Sequence, residues 1–206
     1  DPPRDRDAPR PRLNLALVLD RSGSMDEEGK MAYAREAASM MVDLLEPDDR
    51  LAVIEYDDKV NVLWPSSHVD SPELIKRRIA GLDPRGSTDL FGGLSQGVAE
   101  ILPHRDGADI TRVVLLSDGL ANRGVTGVGE IVRRVRGFGN KGVSVTTMGL
   151  GLDYNEDLME AVAGAAGGNY AFIENPRTMA GIFAEELHTL ATTVARNVEV
   201  VYEPSR

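Results

Sequence analysis

Oxygen-bearing side chains recur at three places in this 206-residue sequence, each beside a run of apolar residues. Asp20, Ser22 and Ser24 follow the run LALVL, with one residue between each pair. Thr88 stands in the loop GSTD, and Asp118 follows the run VVLLS. Two carboxylates and three hydroxyls form an all-oxygen donor set, which suits a hard divalent cation such as Mg²⁺. The chemistry that these residues offer is therefore metal coordination.

The spacing Asp-x-Ser-x-Ser brings alternate side chains toward one point as the chain turns away from a strand. Because hydroxyls are neutral ligands, a cation held by Ser22, Ser24 and Thr88 keeps much of its charge. Asp20 and Asp118 can then anchor the cation through bound waters, as Mg²⁺ often allows. An octahedral site of this kind leaves one position open, so the pattern predicts that a carboxylate from outside completes the coordination.

The elements that must position these residues alternate between strands and helices. Apolar runs predict strands at 13–19, 51–56, 60–64, 113–116, 143–148 and 170–173, and helical spacing predicts helices at 28–45, 73–79, 90–102, 129–136, 155–165 and 179–194. This alternation indicates an α/β fold, with a doubly wound, mostly parallel six-stranded sheet and helices on both faces. A tight turn at Asp57-Asp58 predicts one antiparallel edge strand. All three polar loops then lie at the same rim of the sheet.

The segments LALVLDRSGSM, GSTDLFGGL and LLSDGLANRG resemble the metal-ion-dependent adhesion site of von Willebrand factor type A domains. The resemblance covers about residues 13–195 and is strongest toward bacterial type A proteins and the heavy chains of inter-alpha-trypsin inhibitors. It implies a Rossmann-like fold and a non-enzymatic, protein-binding role, in which a Glu or Asp of a partner protein completes a bound Mg²⁺. Mn²⁺ and Ca²⁺ are the alternative ions.

The resemblance also implies a role for each residue of the site. Ser22 and Ser24 would bind the metal directly, and Thr88 would bind it directly or through water. Asp20 and Asp118 would act mainly through water.

Composition divides the chain into a domain and two flanking segments. Residues 1–12 are rich in Pro, Arg and Asp, which predicts a flexible linker before a domain at 13–195. Residues 196–206 contain the alternating run NVEVVY, which predicts the start of a strand or linker in a larger parent protein, whose other domains would be further partners.

Charge and cysteine content narrow the function further. The net charge of −10 argues against binding of nucleic acid or of an anionic membrane surface. The zero count of cysteine excludes disulfides and thiolate chemistry, and no apolar run of about 18 residues is present to insert into a bilayer.

Each motif residue also has a simpler interpretation. Ser24 could cap the first helix, Thr88 or Asp89 could cap the helix near Leu90, and Asp118 could form a turn. Asn122, Arg123 and Gly124 extend the Asp118 loop toward the same rim. We interpret these three as ordinary loop residues, with contact to a partner as the alternative.

Two alternative functions remain beside protein binding. One is a metal-assisted phosphoryl-transfer or hydrolytic enzyme with Asp20 as nucleophile. That chemistry favours a second Asp at the position of Ser22 and a lysine beside the site, whereas Arg21 is the only nearby cation in sequence. The other is a structural module whose metal only braces the fold.

Two further patterns that could indicate catalysis are interpreted as structural. The Gly93-Leu94-Ser95-Gln96-Gly97 segment matches a hydrolase motif but falls inside a predicted helix, so we interpret the match as accidental. His68, His104 and His188 lack metal-ligand spacing and are predicted to be surface residues.

Overall fold

The computed structural model describes residues 10–106, 110–118, 121–150, 155–173, 181–182 and 184–186. Within these ranges one sheet contains the strands β1 (Leu13–Asp20), β2 (Arg50–Tyr56), β3 (Val60–His68), β4 (Ile110–Ser117), β5 (Ser144–Leu150) and β6 (Tyr170–Ile173). The strand order is β3-β2-β1-β4-β5-β6, and every neighbouring pair is parallel except β2 with β3. The predicted doubly wound sheet with one antiparallel edge strand is confirmed.

Five α-helices connect the strands of the described chain. They are α1 (Lys30–Leu44), α2 (Pro72–Ala80), α3 (Leu90–Ile101), α4 (Val128–Gly139) and α5 (Glu156–Ala165). Residues 181–182 and 184–186 are helical and belong to the helix predicted at 179–194, whereas the rest of that helix and the strand predicted after residue 196 lie outside the described residues. No helix within the described ranges is long and apolar enough to cross a membrane.

The sheet separates two apolar cores, because successive strand residues point to opposite faces. Leu15 and Leu17 of β1 belong to the core under α1 and α2, whereas Ala16 and Val18 belong to the core under α3, α4 and α5. All eight residues of β1 are buried. The central strand is therefore covered on both sides, which explains why its sequence is an almost continuous apolar run.

Helix α3 lies unusually close to the sheet, and two glycines permit this approach. A Cβ atom on Gly97 would lie 2.7 Å from Val18 Cγ2, and one on Gly93 would lie 2.7 Å from Tyr56 Cδ1. Since Val18 and Tyr56 are near the carboxyl ends of their strands, the first turn of α3 is held over that end of the sheet. The Gly-x-Ser-x-Gly match therefore belongs to helix packing, with Ser95 inside α3 as predicted.

The first helix begins later than its periodicity predicts. We expected it to start at Glu28, but Gly23–Gly29 forms a 3₁₀ segment and α1 begins at Lys30. The reason is a turn at Glu28 and Gly29, whose φ angles are 52° and 71° and break the right-handed helix. Gly29 occupies the N-cap position of α1, so the interpretation of Ser24 as the cap of this helix is wrong.

Two arginines at the end of the predicted linker contact the domain. Arg10 donates from Nη1 and Nη2 to Asp49 Oδ1 and Oδ2 at 2.9 and 2.6 Å. Arg12 forms an ion pair of 2.9 Å with Asp106. Asp49 also accepts the backbone N–H of Leu13 at 2.8 Å, so this buried carboxylate joins the start of β1 to the segment before it. Residues 1–9 lie outside the described residues, and the linker boundary stays a prediction.

Candidate metal centre

Asp20 is the last residue of β1, and its buried carboxylate is bonded on both oxygens. Oδ1 accepts the backbone N–H of Ser22 at 2.8 Å. Oδ2 accepts the hydroxyl of Ser117 at 2.7 Å and that of Tyr56 at 3.2 Å. Tyr56 and Ser117 end the two strands that flank β1, which explains why their hydroxyls converge on the last residue of the central strand. Asp20 is therefore fixed in position by donors from the ends of two neighbouring strands and from the turn that follows β1.

Burial changes the acidity of Asp20. Loss of water around the carboxylate is the largest effect and raises its pKa to about 6, although the bonds from Ser117 and Ser22 oppose the rise. The neighbouring charge of Asp118 raises the pKa further. Burial and the charge of Asp20 likewise raise the pKa of Tyr56, so the phenol stays a neutral donor. A carboxylate in this environment is stabilised by a nearby cation.

Ser22, Ser24 and Asp118 lie together beside Asp20. The hydroxyl oxygens of Ser22 and Ser24 are 3.2 Å apart, and the Ser24 hydroxyl donates to Asp118 Oδ1 at 2.9 Å. Ser22 and Asp118 are buried, whereas Ser24 is partly exposed. Four of the five predicted residues are thus connected by hydrogen bonds, and an opening to solvent lies at Ser24.

Thr88 stands in the loop before α3, which contacts the Ser22 loop through its backbone. Gly23 donates its N–H to the carbonyl of Gly86 at 3.2 Å, two residues before Thr88. Asp89, rather than Thr88, caps α3 by accepting the N–H of Gly92 at 3.0 Å. Thr88 is buried. The structure therefore brings the Thr88 loop to the same rim and leaves the threonine hydroxyl out of the helix cap.

Asn122 holds this loop in place, which the sequence did not reveal. Its side-chain oxygen accepts the N–H of Thr88 at 2.9 Å, and its own N–H donates to the carbonyl of Thr88 at 3.2 Å. The backbone N–H of Arg123 reaches the same carbonyl at 3.3 Å. Asn122 is a loop residue, as interpreted, but it also fixes the backbone of a candidate ligand by bonding both the N–H and the carbonyl of Thr88.

Lys30 is a further component of the centre and corrects an expectation from the sequence. Its ammonium donates to Asp118 Oδ2 at 2.9 Å, and the residue is 7% exposed. We expected no lysine beside the site, since Lys30 is ten positions after Asp20. A signal was present, because Lys30 falls at helical spacing with the buried Ala34 and Met41 of α1. A lysine on an apolar helix face requires a buried partner.

Two ion pairs connect the loops around the centre to the end of β2. Arg21 donates to Glu55 Oε2 at 2.6 Å, and Arg85 donates to Asp57 Oδ2 at 2.8 Å. The backbone N–H of Arg85 also reaches the carbonyl of Arg21 at 2.7 Å. Arg85 holds the pKa of Asp57 below its usual value, although burial opposes this. Arg21, the cation nearest to the motif in sequence, is therefore held by its ion pair with Glu55.

The donor set matches the chemistry of a hard divalent cation. Among the described residues no group of three or more His, Cys, Asp or Glu side chains could hold a metal ion. The candidate centre instead brings together two carboxylates and the hydroxyls of Ser22 and Ser24, with the loop of Thr88 beside them, and oxygen donors of this kind suit Mg²⁺, Mn²⁺ or Ca²⁺. His68 and His104 are exposed as predicted, and His188 lies outside the described residues. The buried, incompletely neutralised Asp20 carboxylate fits a site that receives a cation.

The comparisons with known proteins identify the family. The von Willebrand factor type A domain model matches residues 14–185, and this chain belongs to that family. The chain is 30% identical over 195 residues to the uncharacterized protein sll0103 of Synechocystis, covering 93% of this chain and 44% of that protein. It is 24% identical to human inter-alpha-trypsin inhibitor heavy chain H2, covering 92% of this chain and 21% of that protein. The chain thus spans less than half of either relative.

Solved structures show the same fold. A von Willebrand factor type A protein from Catenulispora acidiphila matches with a TM-score of 0.75 and 24% identity, over 84% of this chain and 42% of that one. Proximal thread matrix protein 1 from the mussel byssus, with a zinc-occupied metal-ion-dependent adhesion site, matches with a TM-score of 0.73 and 16% identity, over 87% of this chain and 48% of that one. These likenesses confirm the Rossmann-like architecture expected from the sequence.

Proposed function

We propose that this domain is a non-enzymatic, metal-dependent protein-binding module. Asp20, Ser22, Ser24, Thr88 and Asp118 form its metal site, which takes Mg²⁺, or Mn²⁺ or Ca²⁺ in its place. A Glu or Asp side chain of a partner protein completes the coordination. The observation that carries the proposal is the contact chain from Ser22 through Ser24 to Asp118, 3.2 and 2.9 Å long, beside the buried Asp20.

Membership of the type A family supports a metal site at this rim. The related mussel byssus protein has zinc in its metal-ion-dependent adhesion site, which shows that this fold can hold a divalent ion there. The choice of Mg²⁺ rests on the donors of this chain, because hydroxyl and carboxylate oxygens are ligands of hard cations.

Each residue of the centre has a distinct task in this proposal. The hydroxyls of Ser22, Ser24 and Thr88 hold the cation without neutralising it, so that it retains the charge to attract an outside carboxylate. Asp20 fixes the turn at Ser22 through its bond to that N–H. Asp118 orients Ser24 by accepting its hydroxyl. A bound divalent cation supplies a Lewis-acidic position to which the carboxylate of a partner can bind.

The geometry argues against Asp20 as a nucleophile. Its carboxylate is fully buried, and both oxygens already accept hydrogen bonds from Ser22, Ser117 and Tyr56. A nucleophile must instead reach a substrate atom, which a carboxylate without exposed surface does not do. Ser95 is equally unsuited to catalysis, because it lies in the middle of α3 rather than on a sharp turn after a strand.

Isothermal titration with MgCl₂ and MnCl₂ tests the metal site. The wild-type domain should bind one ion, and the double variant Ser22→Ala/Ser24→Ala should lose binding, because the variant lacks two direct ligands. Ser95→Ala is the matched control, since it removes a serine hydroxyl that lies within α3 and outside the proposed ligand set. Equal affinity of the double variant and the wild type would contradict the proposal.

Peptide arrays test the second half of the proposal. Immobilised peptides that contain one Glu or Asp should retain the wild-type domain in Mg²⁺ and release it in EDTA. The same peptides with Gln or Asn should not retain it. Retention that is independent of both the metal and the carboxylate would refute acid recognition at this site.

A further inference from the structure

We propose that Lys30 sets the charge of the candidate metal centre and so tunes two affinities in opposite directions. Its ammonium weakens binding of the divalent cation and strengthens binding of the partner's carboxylate to the loaded centre. This inference rests on the proposed function, because it concerns the same metal site.

The contacts of Lys30 place its charge at the centre. Its Nζ lies 2.9 Å from Asp118 Oδ2, while Ser24 donates to the other oxygen of the same carboxylate. The next anion, Glu27, is 3.9 Å away and its side chain is 73% exposed, so that pair is weak. The ammonium is therefore committed to a candidate metal-site residue.

The position of Lys30 is unfavourable by the rules that normally govern lysine. It is the first residue of α1, where the helix dipole repels cations, and it is 7% exposed although lysine side chains usually extend to water. A lysine at this position would normally extend its ammonium into water. The compensating interaction is the buried Asp118 carboxylate, with which it forms a close ion pair.

The net charge of Asp20, Asp118 and Lys30 determines how strongly the centre binds a cation and then an anion. Asp20 and Asp118 contribute two negative charges to the centre, and Lys30 contributes one positive charge. A divalent cation changes the net charge of this set from one negative to one positive, so the loaded centre attracts an anion. Without the ammonium the set carries two negative charges, which bind the divalent cation more tightly but leave the loaded centre neutral.

Titration with Mg²⁺ tests the first half of the inference. Lys30→Gln removes the charge but keeps an amide that can donate to Asp118, and Lys30→Met removes both. Each variant should bind Mg²⁺ at least about tenfold more tightly than the wild type, because a positive charge beside the ligand carboxylate is gone. Lys30→Arg keeps the charge and should stay within about threefold of the wild type.

A matched control separates this local effect from total charge. Lys141 is exposed after α4, and Lys141→Gln changes the net charge of the domain by the same amount. Its Mg²⁺ affinity should equal that of the wild type. Circular dichroism in EDTA establishes which variants are folded, and either folded neutral variant at position 30 suffices for the comparison.

Acetate binding to the Mn²⁺-loaded domain tests the second half. The carboxylate displaces water from the ion, which lowers the paramagnetic relaxation of water protons. Lys30→Gln should bind acetate about tenfold more weakly than the wild type, since the loaded centre has lost its net positive charge. Lys30→Gln should thus bind metal more tightly and acetate more weakly than the wild type. Loss of a merely structural salt bridge would not produce these two opposite changes.

The possible failures are distinguishable. A wild-type domain that binds no Mg²⁺ or Mn²⁺ overturns the proposed function and this inference together. A wild type that binds metal, with folded Lys30→Gln or Lys30→Met of equal or weaker metal affinity, overturns only the role of Lys30. Equal acetate affinity of wild type and Lys30→Gln also overturns that role.

Discussion

The substitution Asp20→Asn should stabilise the metal-free domain at neutral pH. The same substitution should abolish metal binding. Burial raises the pKa of Asp20 from 3.8 to about 6. Because each unit of pKa shift corresponds to about 1.4 kcal/mol, the ionised carboxylate costs the folded state roughly 3 kcal/mol at pH 7.5 in the absence of a cation. Asparagine carries no charge and avoids this cost.

The hydrogen bonds of Asp20 survive the substitution in large part. The amide oxygen of asparagine can still accept the N–H of Ser22, which now lies 2.8 Å from Oδ1. The amide nitrogen would face the hydroxyls of Ser117 and Tyr56, which can rotate to accept instead of donate. We therefore expect a net gain in the free energy of unfolding of about 1–3 kcal/mol for Asp20→Asn in EDTA at pH 7.5.

The pH dependence of this gain has a definite sign. The pKa of Asp20 is higher in the folded state than in the unfolded chain. As the pH rises from about 4 to 6, Asp20 therefore loses its proton in the unfolded chain first, and the free energy of unfolding of the wild type falls over that window. The stability advantage of Asp20→Asn should grow by about 2 kcal/mol between pH 4 and pH 7.5. Carboxyl groups that do not interact with Asp20 titrate alike in both proteins and cancel in the difference.

Urea unfolding of both proteins in EDTA at several pH values measures this difference. With Mg²⁺ at 100 times its dissociation constant, the wild type should gain about 2.7 kcal/mol, whereas Asp20→Asn should gain nothing. An advantage of the variant that is the same at pH 4 and pH 7.5 would refute the assignment of the cost to a buried charge. A large Mg²⁺ shift without any carboxylate binding would instead favour the alternative in which the metal only braces the fold.

Three further outcomes follow from the packing and hydrogen bonds. Gly97→Ala should lower the free energy of unfolding by about 1–3 kcal/mol in urea, because a Cβ atom there would lie 2.7 Å from β1, and an unchanged midpoint would contradict the close approach of α3. Asp49→Asn should cost about 2–4 kcal/mol at pH 7 by breaking the bidentate bond to Arg10. Burial opposes ionisation of Asp49, but the bond to Arg10 holds the pKa of Asp49 below its usual value. The difference in free energy of unfolding between Asp49→Asn and the wild type should therefore narrow below about pH 4, and a difference that is independent of pH would contradict this prediction. Asn122→Ala should weaken Mg²⁺ affinity in calorimetry by about tenfold through loss of the bond to the N–H of Thr88, and equal affinity would refute its positioning role.

The sequence predicts the fold because its strongest signals are apolar runs and helical spacing. An unbroken apolar run such as 113–116 is typical of a strand covered on both faces, and β4 is such a strand. The carboxyl ends of parallel strands share one rim, so the meeting of Ser24 with Asp118, 94 residues apart, follows from topology alone. The loop of Thr88 follows helix α2 rather than a strand, and it reaches that rim because α3 begins there.

The rest of the site depends on geometry that no local pattern records. The start of α1 depends on left-handed φ angles at Glu28 and Gly29, and this turn directs Lys30 toward a residue 88 positions away. Asn122 resembles any polar loop residue until its side-chain oxygen is seen beside the N–H of Thr88. Such contacts are decided by tertiary packing rather than by spacing in the chain.

The most direct test of the metal-dependent binding site is anomalous diffraction from a crystal of this domain grown with Mn²⁺. We expect one anomalous peak in direct contact with the hydroxyls of Ser22 and Ser24, with Asp20 separated from it by water. A crystal that contains no peak at this rim, or one whose peak lies against other residues, would contradict the proposed metal site.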